Sequence, residues 1–231
     1  MNFDAFSNEY KQLLANSTGS DVNSLDYFSK QKIWHLVSVL KEEAENVASI
    51  LDFGCGIGLS ISPLGASFPK AKIIGCDISN SSLKIASSEH KQPSVSFQKT
   101  TTISSENIYC NAFDLIHVSC VLHHIPPIER QQIMEGLYSN CKTGGNIVIF
   151  EHNPLNPLTQ KIVASCPFDE DAILLSINEA SELLKTSGFK IVEKSFISFI
   201  PPSLKKIRRL ETYFKWCAIG AQYFIVAKKC V

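Results

Sequence analysis

Short apolar segments alternate with segments of helical spacing along most of the chain. Residues 28–45 come first, with apolar positions at Ile33, Trp34, Val37 and Leu40, as in an amphipathic helix. Seven apolar segments typical of strands follow, at residues 49–53, 72–76, 95–98, 113–119, 146–151, 190–199 and 222–227. Helical patterns separate the first five, and this alternation predicts a parallel sheet covered by helices on both faces.

The ends of two later helices can also be predicted. An apolar stripe over residues 133–141 predicts a helix between the fourth and fifth strands, and the Gly144–Gly145 pair is expected to end it. Ser176 and Glu179 have the S-x-x-E spacing of a capping box. We therefore expect a helix to begin there and to stop at Gly188.

Composition limits the class of protein. The chain has 231 residues, 45% of them hydrophobic, which is enough for the core of one domain. Lysine and arginine total 22, and aspartate and glutamate also total 22, so the formal net charge is zero. This balance predicts no nucleic-acid partner, because polyanions are bound by basic surfaces. The oligomeric state stays open.

The cysteines and the N-terminus indicate a cytoplasmic location. Eight cysteines are scattered through the chain, and none forms a C-x-x-C pair. Such residues are typical of small buried side chains in a reducing compartment. The start of the sequence lacks the basic and apolar regions of a signal peptide, and no apolar run approaches membrane-spanning length. We expect no stable membrane insertion.

The most informative segment is ILDFGCGIGLS at residues 50–60, an apolar strand followed by three alternate glycines. Gly54, Gly56 and Gly58 permit a tight turn and a close approach of the backbone to a ligand. Asp52, directly before the loop, would repel a pyrophosphate and attract an ammonium group. The ligand is therefore predicted to carry both charges at one end, as an amino acid does.

A dinucleotide-binding loop is the competing interpretation. Its third glycine would stand three places after the second, where this chain has Leu59. S-adenosylmethionine joins an amino-acid end to an adenosine, whose ribose hydroxyls need an acceptor after the next strand. Asp77 stands at that position, and Ile78 beside it is expected to cover an adenine face. The spacing of Asp52 and Asp77 fits one βαβ unit.

These motifs resemble the class I S-adenosylmethionine-dependent methyltransferases. The resemblance runs from about residue 50 to the end and includes FDLIHVSCVLHHIP at 113–126 and GGNIVIFEHNP at 144–154. It implies a Rossmann-like, doubly wound α/β sheet of seven strands, mostly parallel with an antiparallel last strand. The cofactor would be S-adenosylmethionine, with S-adenosylhomocysteine as product. One domain would span residues 1–231, with a helical cap at 1–47, a cofactor-binding core at 48–153 and a substrate side at 154–231.

The resemblance also assigns residues to the cofactor. In the family, the backbone after strand four lies along the methionine part of the cofactor, and residues after strand three approach the adenine. The full predicted set is Asp52, Phe53, Gly54, Cys55, Gly56, Gly58, Asp77, Ile78, Thr101, Ser119 and Cys120.

Candidate catalytic residues follow strands four and five, because ligands of open parallel sheets bind beyond the carboxyl ends of the strands. A hydroxyl acceptor needs a base, and His152 or His124 could supply it, supported by Glu151. Alternatively, a histidine here packs a helix start, and Glu151 anchors a loop through backbone N–H groups. His123, Asn153 and Tyr27 are candidates for contacting the acceptor, although Asn153 also suits a turn.

Cys120, His123 and His124 could suggest a metal site, but no second cluster stands at a suitable spacing, and we predict none. The acidic run at 169–171 is expected to be a solvated face.

The predicted function is methyl transfer to a small-molecule acceptor, with an oxygen atom as the expected methyl acceptor. A basic amphipathic stretch at 201–217 is either a packed helix or a mobile cover that admits a lipid-like acceptor. Two alternatives remain: a cofactor-binding protein without methyl transfer, and a membrane-surface or protein-interaction module built on the same fold.

Overall fold

The computed structural model describes residues 4, 7, 9–18, 23–100, 110–199 and 217–230. Its strands are β1 (Ser49–Phe53), β2 (Lys72–Asp77), β3 (Val95–Lys99), β4 (Phe113–Ser119), β5 (Cys141–His152), β6 (Phe189–Ile197) and β7 (Gln222–Lys229). The helices in these ranges are α1 (Tyr10–Thr18), α2 (Asn23–Leu40), α3 (Ile61–Ser67), α4 (Asn80–Glu89), α5 (Pro127–Asn140), α6 (Pro157–Ser165) and α7 (Ile177–Thr186). Within the same ranges, no helix is both long and apolar enough to cross a membrane.

The strands form one sheet in the order β3-β2-β1-β4-β5-β7-β6. Strands β1 to β5 run parallel to one another, and β7 pairs antiparallel with both β5 and β6. This confirms the predicted Rossmann-like α/β sheet with an antiparallel last strand. Because β1 lies between β2 and β4, the chain reverses its direction of winding there. A crevice opens at the carboxyl ends of β1 and β4, where such sheets bind ligands.

Successive residues of the central strands pack against opposite layers of helices. On one face, Ile50 and Val148 lie in a cluster with residues of α2 and α3. On the other face, Leu51 and Ile147 lie in a cluster with residues of α5 and α7. All four side chains are buried. The sheet is therefore a rigid support for the loops at its carboxyl edge.

Strand β5 is longer than the sequence predicts. Helix α5 ends at Asn140 and β5 begins at Cys141, so Gly144 and Gly145 lie inside the strand and do not end the helix. The pairing of β4 with β5 shifts register over this stretch, and Gly144 has a φ of 81°. A Cβ on Gly145 would lie 3.0 Å from the carbonyl oxygen of Phe113. The glycines therefore serve an irregularity in the strand, which the sequence cannot distinguish from a helix end.

Helix termini elsewhere follow local chemistry. Helix α2 starts before residue 28 and stops at Leu40, because Lys41 has a φ of 51° and leads into a 3-10 turn over Lys41–Asn46. At the start of α7, Glu179 N donates to Ser176 Oγ at 3.2 Å, and Ser176 N donates to the Glu179 carboxylate at 2.6 Å. The predicted capping box is thus confirmed. Gly188 follows the helix with a φ of 103°.

We expect Ser176→Ala to lower the free energy of unfolding by about 1 kcal/mol, because the substitution leaves an N-terminal N–H of α7 without its acceptor. The control is Ser165→Ala at the exposed last turn of α6, where the hydroxyl donates to the carbonyl of Ile162. That change should stay within about 0.5 kcal/mol. Urea denaturation of both variants makes the comparison. Equal losses would contradict the capping role.

Candidate active site

The loop after β1 turns through three glycines in the left-handed region. The φ angles of Gly54, Gly56 and Gly58 are 68°, 52° and 84°, which confirms the predicted tight turn. A Cβ on Gly54 would lie 2.5 Å from a methyl group of Val121, so the loop packs directly on the residues after β4. Around Gly56, no described atom lies within 4 Å of a Cβ position. The backbone at Gly56 therefore borders open space.

Asp52 near the end of β1 is buried, and only one of its two carboxylate oxygens has a hydrogen-bond partner among the described residues. Its Oδ1 lies 2.7 Å from His117 Nδ1 on the neighbouring strand β4, and both side chains are almost fully buried. Among the described residues, no group hydrogen-bonds its other oxygen, Oδ2. Burying an unpaired carboxylate oxygen is costly, and Asp52 also lines a cavity at the carboxyl edge of the sheet. A cationic ligand group in the cavity would remove that cost.

Asp77 lies on the other side of the same loop. Its carboxylate accepts hydrogen bonds from Gly56 N and Ser79 N, each at 2.8 Å. Because each carboxylate oxygen has two lone pairs, acceptor capacity remains for a ligand. Burial raises the pKa of this carboxyl above its usual value. The adjacent Ile78 is 54% exposed, and Thr101 lies outside the described residues.

A cavity of about 380 Å³ opens at the carboxyl edge of the sheet. It brings together many of the predicted site residues: Asp52, Gly54, Cys55, Gly56, Ser119, Cys120, His123, His124 and His152. Four predicted cofactor residues lie outside the lining that the described residues form. Phe53 is buried in the core, Gly58 faces the ring of His90, Asp77 accepts a hydrogen bond from Gly56 N, and the adjacent Ile78 is exposed.

Lys32 of α2 also enters this cavity, and sequence analysis missed it. Its ammonium donates to Ser119 Oγ at 2.8 Å and to Cys120 Sγ at 3.3 Å. Cys120 has a φ of 58°, an unusual conformation for a residue other than glycine. Burial raises the pKa of its thiol, but the charges of Lys32 and His152 outweigh burial and lower it to about 6. A lysine on a predicted amphipathic helix gives no sign of this role.

Glu151 in β5 is a buried anchor. Its carboxylate accepts hydrogen bonds from Val121 N at 2.9 Å and Leu122 N at 2.7 Å, and it lies 2.6 Å from His123 Nδ1. Burial raises its pKa, but the charge and hydrogen bond of the neighbouring His123 outweigh burial and lower the pKa to about 2. Its side chain is not part of the cavity lining formed by the described residues. Glu151 therefore positions the loop after β4, as the loop-anchor alternative stated.

A cluster of histidines faces Asp169 in the cavity. Asp169 Oδ1 lies 3.3 Å from His124 Nε2 and 3.6 Å from His123 Nε2. The ring of His152 lies 5.1 Å from that of His123, centre to centre. Asp169 is only 7% exposed, whereas Glu170 and Asp171 are exposed. The prediction of a solvated face was thus wrong for Asp169, because a short 3-10 turn over Pro167–Asp169 directs it inward.

The two adjacent histidines differ in charge. Burial lowers the pKa of His123, but Glu151 and Asp169 outweigh burial and raise it to about 10. Burial also lowers the pKa of His124, and the positive charge of His123 lowers it further, to about 4. At neutral pH, and with nothing else bound, His123 is therefore cationic and His124 neutral.

The remaining predicted residues have structural contacts. Asn153 donates to the carbonyl oxygens of Ala218 and Gly220 and accepts from Leu155 N, which confirms the turn alternative. Tyr27 is half-buried, with its ring 6.1 Å from that of Phe28, a cavity residue. Neither Asn153 nor Tyr27 belongs to the cavity lining within the described ranges. The predicted cover at 201–217 lies outside the described residues except for Cys217.

The loop region fits the charged amino-acid end of S-adenosylmethionine. Asp52 offers a buried oxygen without a partner for an ammonium group, and Gly56 leaves room for close backbone approach. Ser119 and Cys120 line the cavity next to the loop, and Asp77 retains acceptor capacity for ribose hydroxyls.

Comparisons with known proteins agree with this assignment. A family model described as a methyltransferase domain matches residues 51–147. A trans-aconitate 2-methyltransferase of Variovorax paradoxus is 29% identical over 127 residues, which are 53% of this chain and 47% of that protein. This chain thus matches only about half of that relative. A malonyl-[acyl-carrier protein] O-methyltransferase of Coxiella burnetii is 27% identical over 84% of this chain and 73% of that protein.

A solved structure extends the agreement to the whole fold. The crystal structure of a SAM-dependent methyltransferase from Archaeoglobus fulgidus has a TM-score of 0.70 and 17% identity to this chain. The similarity covers 95% of this chain and all of that one. Residues 51–147 therefore match a methyltransferase domain, and the chain has the fold of the class I S-adenosylmethionine-dependent methyltransferases, whose methyl donor is S-adenosylmethionine.

Proposed function

We propose that this protein transfers the methyl group of S-adenosylmethionine to an oxygen atom of a small molecule. The observation that carries the proposal is the shared cavity, in which the glycine loop and Asp52 line one part and three histidines and Asp169 line another. The sulfonium supplies an already activated methyl group. The protein then has to align the acceptor and exclude water from it.

The lining of the cavity suits an acceptor with a polar head and an apolar body. Lys32 and the histidines supply charged and hydrogen-bonding groups, whereas α6 contributes Leu158 and Ile162. The apolar wall supports an acceptor of lipid-like character as one candidate. The Coxiella relative is an O-methyltransferase, which supports oxygen as the accepting atom.

His152 is our candidate for the base. It lies at the end of β5, lines the cavity and is half-buried, so a substrate can reach it. His124 is the second candidate, although its Nε2 already faces Asp169 at 3.3 Å. Glu151 supports the site as a positioning residue, because it orients His123 and the loop after β4.

Two broader expectations also remain proposals. A cytoplasmic location is supported by the eight cysteines, none of which forms a disulfide. A single domain over residues 1–231 is supported by the seven strands from Ser49 to Lys229, which share one sheet.

For the cofactor site, we expect Asp52→Asn to weaken binding of S-adenosylhomocysteine by about 1.5 to 3 kcal/mol, roughly ten- to hundredfold. The substitution keeps the shape of the side chain and removes the charge that would face the ammonium group. Asp114→Asn is the matched control, since Asp114 lies at the opposite end of its strand and pairs with Lys142. Calorimetry should show native affinity for that variant. Equal affinities for both variants and the wild type would remove Asp52 from the site.

For catalysis, we expect His152→Gln to lower kcat by roughly 10²- to 10⁴-fold with a hydroxyl acceptor and to change it little with a carboxylate acceptor. A hydroxyl must lose its proton during transfer, whereas a carboxylate is already ionised. The assay measures formation of S-adenosylhomocysteine with a panel of hydroxyl, carboxylate and amine compounds. Transfer to amines alone would exclude the oxygen acceptor, and binding of the cofactor without transfer to any compound would favour a non-catalytic protein.

A further inference from the structure

Two imidazole nitrogens and a carboxylate oxygen converge in the cavity. His123 and His124 stand on the 3-10 turn after β4, and Asp169 stands on the turn after α6. The Nε2 atoms of His124 and His123 lie 3.3 and 3.6 Å from Asp169 Oδ1. One ligand atom of each residue lies within 4.8 Å of those of the other two.

These separations are long for direct hydrogen bonds and suitable for a shared ion. Strong N–H···O bonds are about 2.9 Å long. Tetrahedral ligands at about 2.0 to 2.1 Å from a zinc ion lie roughly 3.3 to 3.4 Å from one another. The two distances to Asp169 are therefore close to the edges of such a coordination polyhedron, and they also suit a charged hydrogen bond when the site holds a proton.

A second contact orients His123 in the way that metal ligands require. Its Nδ1 lies 2.6 Å from Glu151 Oε2, so the ring presents Nε2 to Asp169. Glu151 is itself held by the backbone N–H groups of Val121 and Leu122. A carboxylate that fixes the far nitrogen of a ligand histidine is a general feature of metal sites.

We propose that His123, His124 and Asp169 bind one divalent transition-metal ion, and that the ion receives an oxygen of the acceptor at an open position toward the cavity. Two imidazoles and one carboxylate suit Zn²⁺ or Fe²⁺ and leave coordination positions vacant for a substrate. All three residues line the cavity, so an acceptor can reach the ion. This proposal rests on the proposed function and defines its acceptor as a metal-binding oxygen compound.

The sequence predicted no metal site because the third ligand, Asp169, could not be recognised from the local pattern. Asp169 stands 45 residues after His124, inside an acidic run that resembles a surface segment. The competing occupant of the site is a proton, held between His123 and Asp169. If the site binds a metal ion, the protein takes up one equivalent of metal at these residues. If the site only holds a proton, it takes up none there.

The test uses the full chain stripped with a chelator and titrated with Co²⁺ and Zn²⁺. We expect one equivalent to bind, with the visible bands of low-coordinate Co²⁺ and without the sulfur-to-metal charge-transfer band of a cysteine site. Asp169→Asn should weaken Co²⁺ binding at least tenfold. Asp171→Asn, an exposed carboxylate two residues away, should bind like the wild type. His124→Gln gives a second, independent loss.

Calorimetry with S-adenosylhomocysteine on the same variants shows whether the cofactor half stays folded. Unchanged cofactor affinity together with lost Co²⁺ binding supports the site. Co²⁺ uptake that is equal in wild type, Asp169→Asn and His124→Gln overturns it, and so does a spectrum dominated by sulfur ligation. Methyl transfer that persists in the metal-free protein would leave the proposed function standing and remove the metal from it.

Discussion

The buried carboxylate of Glu151 joins the ends of the two central strands. It stands near the end of β5 and accepts hydrogen bonds from the first two residues of the loop that follows Cys120. Without these bonds, two backbone N–H groups and one carboxylate oxygen would lose their partners, at a cost of several kcal/mol. The same carboxylate orients His123. The shape of the cavity and the direction of its histidines therefore depend on one side chain.

A second buried contact fixes the other end of the cavity. Asp52 and His117 join β1 to β4 through a bond of 2.7 Å, while the remaining carboxylate oxygen stays free for a ligand. Asp77 then holds the glycine loop through Gly56 N. A buried carboxylate thus stands at each end of the cavity, but the two differ in how many of their oxygens are hydrogen-bonded. Asp52 keeps an unsatisfied oxygen, whereas Glu151 is fully engaged with the protein.

The acceptor side is assembled from segments that are distant in sequence. Helix α2 contributes Lys32, the turn after β4 contributes two histidines, and the turn after α6 contributes Asp169. The ring of Tyr10 in α1 stacks on that of Phe168 at 4.7 Å, next to Asp169. Helical elements from the N-terminal part of the chain and from residues 157–169 therefore wall a site whose cofactor half is formed by the first βαβ unit and the end of β4.

The sequence by itself determined the fold and the cofactor half. Strand periodicity, the three glycines and the two aspartates are local signals, and each is read within about 30 residues, which is the span of one βαβ unit. For that reason the parallel sheet and the tight turn at Gly54 to Gly58 agreed with prediction, while the antiparallel β7 agreed with what the family resemblance implies.

Only the tertiary structure decided the other half. The burial of Asp169, the reach of Lys32 into the cavity and the anchoring role of Glu151 depend on contacts between segments up to about 90 residues apart. An exposed acidic run and a buried ligand have the same local pattern, as do a helix end and a strand bulge at Gly144. Desolvation and pairing distinguish them, and both arise only when the chain is packed.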